Sequence, residues 1–205
     1  MKKILLFGAG KSASVLIDYL LLQSAALNWK IIVADTNKKL IEDKTRHHKN
    51  SEAIELDINN EAKRRQLVSE ADIVISMMPP ALHILVAKDC IHFEKNLLTA
   101  SYADDEIKAL ENQVRDKGIL FLCEMGLDPG IDHMSAMQLL DEIRESGGTV
   151  QSFKSHCGGL VAPESDDNPW HYKITWNPRN IVMAGKAGAI YKQKKKKIAE
   201  KYETL

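Results

Sequence analysis

The chain has 205 residues, 44% of them apolar, and its 28 Lys plus Arg are matched by 28 Asp plus Glu. Zero net charge leaves no global basic footprint for nucleic acid or an anionic membrane surface, and no apolar run reaches the length of a bilayer span. Enough apolar residues remain for a sizeable globular core.

The opening "MKKILLFGAG" is too short in its apolar part for a signal peptide, and its glycines break the pattern. It reads as a strand at 4–7 running into a glycine loop. Helices then read at 12–24, 38–46, 61–69, 81–92, 104–116 and 133–145. Strands read between them at 31–34, 53–58, 73–77, 97–100 and 120–123. This alternation predicts a doubly wound parallel sheet covered on both faces, the α/β Rossmann class. Only "AIELDI" at 53–58 alternates in polarity, which suits a sheet edge.

The character changes after Gly147 and Gly148. "TVQSFKSHCGGL" reads as a strand, "VAPESDDNP" as a polar loop, "WHYKITW" as a strand and "PRNIVMAGKAGAIY" as a helix. The last segment, "KQKKKKIAEKYETL", reads as a solvated tail. The expected division is a dinucleotide-binding domain at 1–132, then a linking helix and the start of an incomplete α+β substrate domain at 133–205. Cys90, Cys123 and Cys157 are odd in number and widely spaced, which fits neither a disulfide framework nor a zinc site. They read as reduced thiols of a cytoplasmic protein, with no metal.

"GAGKSA", Gly8 to Ala13, fits G-x-G-x-x-A directly after the first strand and at the start of the first helix. In that context it predicts a dinucleotide site. Gly8 permits the turn, Gly10 lets the backbone approach a pyrophosphate, and the helix N-terminus supplies amide donors. A nucleoside-triphosphate loop would need a glycine where Leu5 stands, so that reading fails. Asp35 ends the second strand, where an acid bonds the ribose hydroxyls of NAD and repels a 2′-phosphate. Its alternative is a plain turn aspartate. Thr36 and Asn37 follow without an arginine, and Lys38 and Lys39 come next.

Three more loops leave carboxyl ends of strands, where such folds bind ligands. They are "SMMPPA" (Ser76 to Ala81), "TASYADD" with Ser101 and Tyr102, and "EMGLDPGIDHMSAM" with Asp128, Pro129, Asp132 and His133. Asp132 suits the N-cap of the last helix. His133 either lines the crevice or packs locally.

The strings "LLTASY", "EMGLDPGIDHMSA" and "SHCGGLVAPESDDNPWHYKITW" resemble the saccharopine dehydrogenase (L-glutamate-forming) family, also called saccharopine reductase, from residue 1 to about 191. The resemblance implies reduction, by a nicotinamide cofactor, of the imine of glutamate and 2-aminoadipate semialdehyde to saccharopine, in lysine metabolism. It implies cofactor contacts at Gly8, Ala9, Gly10, Lys11, Asp35, Thr36, Asn37, Asp57, Ile58, Met78, Ala100, Ser101, Leu127, Asp128 and Pro129. Asn177 would add a contact from the second domain. It implies substrate contacts at Ser101, Tyr102 and Asp128. A carboxylate at Asp128 suits a substrate ammonium, and Ser101 and Tyr102 suit a substrate carboxylate.

The family commonly takes the phosphorylated cofactor through a basic residue after the second strand, whereas Asp35-Thr36-Asn37 here favours NAD. The family is also longer, so the chain is expected to be a piece of such an enzyme that binds dinucleotide but reduces the imine poorly by itself. Expected partners are a small amino-acid substrate and a second copy in a homodimer. Two alternatives stay open: a dinucleotide-binding or regulatory module without turnover, and a carboxynorspermidine- or homospermidine-type dehydrogenase. A short-chain reductase reading would rest on Tyr191 and Lys195 alone and is set aside.

Overall fold

The computed structural model describes residues 1–156, 161–174, 182, 186 and 188–204. They form two compact units, Met1–Gln151 and Ser152–Leu205, each described by itself. No helix among the described residues is long and apolar enough to cross a membrane.

The first unit contains strands β1 (Lys2–Phe7), β2 (Trp29–Asp35), β3 (Ser51–Glu55), β4 (Ile73–Ser76), β5 (Asn96–Thr99) and β6 (Phe121–Leu122). Its helices are α1 (Ser14–Ser24), α2 (Lys38–Thr45), α3 (Glu61–Glu70), α4 (His83–His92), α5 (Asp105–Lys108), α6 (Glu111–Asp116) and α7 (Ile131–Glu145). The strands are all parallel and lie in the order β3-β2-β1-β4-β5-β6. That order reverses between β1 and β4, which opens the crevice of a doubly wound fold at the strands' carboxyl ends. The alternating strand, β3, is indeed at an edge.

The period-2 geometry of strands explains the two cores. Leu5, Phe7, Ile32 and Val74 face one way and pack with Val68, Val86 and Cys90 of α3 and α4. Ile4, Leu6, Ile31 and Val33 face the other way and pack with Ile17 and Leu21 of α1 and Ile41 of α2. Each such buried side chain stabilises the fold by roughly 1.5–3 kcal/mol.

Three expectations are corrected. The helix read at 104–116 is two short helices, because Ile107 and Leu110 both enter the core and the Leu110 amide bonds the Ile107 carbonyl in a tight turn. The helix read from 133 starts at Ile131, with Gly130 (φ 147°) as its N-cap; Asp132 is therefore inside the first turn rather than the cap. The two compact units meet at Gln151, so α7 goes with the first of them. The lysine run is not a tail: β7 (Ala189–Gln193) and β8 (Lys196–Glu200) form an antiparallel hairpin. Lys194 (φ 48°) and Lys195 (φ 67°) make its two-residue turn with the positive φ that primed turns require. The lysine side chains remain exposed.

Residues 149–156, where the first unit ends and the second begins, carry no regular structure, and 157–160 lie outside the described residues. Of "WHYKITW", Tyr172 makes an isolated bridge, Trp170 is exposed, and 175–176 lie outside. Most of the helix read at 178–191 also lies outside, and its end belongs to β7.

Candidate dinucleotide crevice

The glycine loop leaves β1 between two neighbours. The Gly8 amide bonds Ala34 of β2, and the Met77 amide bonds Phe7. Gly8 has φ 95°, and a Cβ there would sit 2.9 Å from the Met77 carbonyl oxygen, so this turn requires glycine. At Gly10 a Cβ would meet no atom within 4 Å. Open space beside a bare backbone just before α1 is what a pyrophosphate needs. Lys11 lies exposed on the short turn that precedes α1.

Asp35 closes this loop from the side. Its Oδ2 accepts the Ala9 amide at 2.8 Å, and its Oδ1 accepts the Asn37 amide at 3.0 Å and the Thr36 hydroxyl at 3.4 Å. Asn37 in turn caps α2 by accepting the Leu40 amide at 3.0 Å. A pocket of about 220 Å³ opens here, lined by Ala34, Asp35, Thr36, Asp57, Ile58 and Met78 among others. The Asp57 carboxylate is bound by the amide and side chain of Asn59, so it shapes the pocket wall. Met78 brings its sulfur 3.4 Å from where a Gly8 Cβ would stand, joining the proline loop to the glycine loop. These residues fit a dinucleotide: a glycine cradle, a helix N-terminus and an acid-rimmed pocket in sequence along one edge.

The turn after β6 is fastened to the end of β5. The Glu124 amide donates to Ser101 and the Met125 amide to Thr99. Gly126 presses on Ala100, whose carbonyl would lie 3.1 Å from an added Cβ. The turn then folds on itself: the Gly126 amide bonds the Pro129 carbonyl at 2.8 Å, and the Asp132 amide bonds that of Leu127 at 3.1 Å. A side chain at Gly130 would collide with the Gly126 carbonyl. Asp128 is thereby presented to Tyr102, whose hydroxyl donates to Oδ1 at 2.6 Å. That bond, with burial and nearby carboxylates in support, raises the Tyr102 phenol to about 12. The phenol therefore stays protonated, a donor next to a carboxylate. Leu127 is exposed at the tip.

The Saccharopine dehydrogenase NADP binding domain family matches residues 4–122, and the Saccharopine dehydrogenase C-terminal domain family matches 126–205. The chain belongs to the saccharopine dehydrogenase family. It is 42% identical over 183 residues to the alpha-aminoadipic semialdehyde synthase, mitochondrial, of Bos taurus, covering 89% of this chain and 19% of that protein. It is 38% identical over 184 residues to the saccharopine dehydrogenase [NADP(+), L-glutamate-forming] of Schizosaccharomyces pombe, covering 90% of this chain and 40% of that one. Among solved structures, apo saccharopine dehydrogenase (L-Glu forming) from Saccharomyces cerevisiae superposes with a TM-score of 0.84 at 33% identity. That match covers 99% of this chain and 45% of the yeast one. The chain thus spans less than half the length of these saccharopine dehydrogenase relatives. The two family domains meet between 122 and 126, whereas α7 sits with the first compact unit.

The fold gathers the sequence-read residues into two groups, Gly8 to Lys11 with Asp35, Thr36, Asn37, Asp57, Ile58 and Met78, and Ala100 to Tyr102 with Leu127 to Pro129. Asn177 and Cys157 lie outside the described residues. Asp132 accepts the Gly130 amide at 3.0 Å and the His133 ring at 2.7 Å, so both serve the turn.

Three contributors went unread in sequence. Lys44 of α2 reaches the Gly10 carbonyl at 2.6 Å and the Ser14 hydroxyl at 2.7 Å. The Glu124 carboxylate accepts the Ala103 amide at 3.2 Å, fixing the loop that carries Tyr102. His83, at the start of α4, is buried between Ser76 and Ser101. Only His83 left a signal, a polar ring in the first turn after the proline loop.

Proposed function

We propose that this chain supplies the dinucleotide crevice and part of the substrate site of an oxidoreductase that interconverts saccharopine with glutamate and 2-aminoadipate semialdehyde. The observation that carries this reading is the Tyr102–Asp128 pair, set on loops bound to each other at the carboxyl edge that also carries the glycine cradle. A nicotinamide dinucleotide bound there supplies hydride transfer. Asp128 offers its carboxylate to the substrate nitrogen, and Tyr102 holds that carboxylate in place. Ser101 faces a substrate carboxylate, and the family membership supports the substrate class.

NAD is the favoured cofactor in this reading. The Asp35 carboxylate is held at the end of β2 by two backbone amides, leaving fixed negative charge where a 2′-phosphate would go. The S. pombe relative is named for NADP(+) and the matching family domain for NADP binding, so NAD selection here would be a departure from them. A cytoplasmic location accords with free thiols at Cys90 and Cys123, while the bovine relative is named as mitochondrial. The exposed Ile131, Met134 and Leu139 of α7 support pairing in a homodimer.

The test is the change in nicotinamide absorbance when saccharopine is added to protein from the native gene with NAD or NADP. Saccharopine-dependent reduction, with glutamate as product, supports the assignment. Dinucleotide binding without any such change supports the second reading, a binding module without turnover.

A further inference from the structure

Below the crevice mouth lies a polar chain of which only Ser101 has a role in the reading above. Ser76 at the end of β4 is fully buried, and its hydroxyl stands 2.8 Å from Nδ1 of His83. Nε2 of the same ring is 2.8 Å from the Ser101 hydroxyl and 3.3 Å from that of Thr99. His83 and Thr99 are buried as well, whereas Ser101 is only half-buried. The chain therefore runs from the core to a residue at the crevice.

The number of hydroxyl protons decides which ring nitrogen carries hydrogen, because a buried O–H must find an acceptor. With hydrogen on Nε2, Ser76 donates to Nδ1, and Nε2 donates to Ser101. Only the Thr99 proton then lacks a named acceptor. With hydrogen on Nδ1, the fully buried Ser76 proton has none, and Ser101 and Thr99 compete for one lone pair. Ser101, at 2.8 Å against 3.3 Å for Thr99, takes that lone pair, so the second arrangement orphans both Ser76 and Thr99 and the first only Thr99. A protonated ring would orphan Ser76 too, and it would place positive charge in the first turn of α4, against the helix dipole. Burial also lowers the affinity of His83 for a proton, opposed by the charge of Asp104.

We propose that His83 is a positioning residue that, as the neutral Nε2–H tautomer, occupies the Ser101 oxygen and commits the Ser101 hydroxyl to donate outward into the crevice. The group that receives this proton is an acceptor oxygen: a substrate carboxylate or the carboxamide of the dinucleotide. The identity of that ligand rests on the proposed function; the tautomer does not.

Nitrogen-15 NMR of the chain tests the tautomer with no ligand present. The expected result is a pyridine-like Nδ1 and a pyrrole-like Nε2 for His83, unchanged between about pH 5 and about pH 8. A pyrrole-like Nδ1, or an imidazolium in that range, would overturn the proposal. Ser76→Ala, which removes the partner of Nδ1 without touching the crevice, is expected to mix the two tautomers. Dinucleotide and saccharopine are then titrated separately into wild type, Ser101→Ala and Ser101→Thr. Ser101→Ala is expected to weaken one of them by about tenfold or more, with recovery in Ser101→Thr. Loss for saccharopine identifies the carboxylate, and loss for the dinucleotide identifies the carboxamide. Equal affinity in all three proteins, or no binding of either probe to the wild type, overturns the ligand half while the tautomer stands on its own spectrum.

Discussion

The Tyr102 hydroxyl donates to Asp128 Oδ1 at 2.6 Å, joining residues 26 positions apart in sequence. The bond ties the loop after β5 to the turn after β6, so the two strand ends present one surface. A phenol that gives its proton to a carboxylate does not release it easily, and the carboxylate is fixed in orientation by the same contact.

The Tyr102 phenol is held above its ordinary value of 10.0, at about 12, first by the Asp128 bond and then by burial and neighbouring charge. Asp128→Asn should return its titration toward the ordinary value, as followed by phenolate absorbance against a Tyr102→Phe reference. The folded protein binds this proton more tightly than the unfolded chain does. The stability tied to the contact is therefore complete below pH 10 and is lost as pH rises towards 12. Titration at the same pH in both proteins would show that Asp128 is not the cause.

Asp35 makes a prediction about cofactor choice. Wild-type protein should bind NAD more tightly than NADP by about 1–3 kcal/mol, the cost of setting a carboxylate against a phosphate. Asp35→Ala should narrow that gap and weaken both ligands, because the Ala9 amide loses its acceptor. Fluorescence titration of the two cofactors measures this. Tighter NADP binding by wild type would put Lys38 or Lys39 on the phosphate and take selection away from Asp35.

The wall of the candidate pocket depends on a buried ion pair. Arg64 Nε meets Asp89 at 2.6 Å, and its Nη1 donates to the Ile58 carbonyl at 2.6 Å. Asp89→Ala leaves the buried guanidinium unpaired, so urea unfolding should show a loss of about 3–5 kcal/mol. Dinucleotide affinity should fall with it, since Ile58 loses its anchor. A loss below about 1 kcal/mol, the level of surface pairs, would mean that water reaches Arg64.

The parallel sheet was legible because burial on both faces leaves unbroken apolar runs, as in "KIIVAD" and "DIVIS". The glycine loop was legible because the Gly8 turn admits nothing larger. The pairing of Tyr102 with Asp128 was not, since it depends on Glu124, in the left-handed region at φ 63°, bonding back to Ser101 and Ala103. No local periodicity encodes a contact of that kind. His83 was missed because a helix-start histidine reads the same whether its ring faces solvent or two buried hydroxyls. The lysine run was misread because charge suggested a solvated tail. In the fold, exposed strands carry it, and such strands need only one polar face.

Saccharopine-driven reduction of NAD by protein from the native gene, compared between wild type and Asp128→Asn, tests the proposed chemistry most directly. Wild type should form NADH and glutamate together. Asp128→Asn should slow turnover by about a hundredfold while dinucleotide affinity stays within about twofold, because the group lost acts on the substrate rather than on the cofactor. Equal rates in the two proteins, or no saccharopine-dependent NADH from the wild type, would contradict the account.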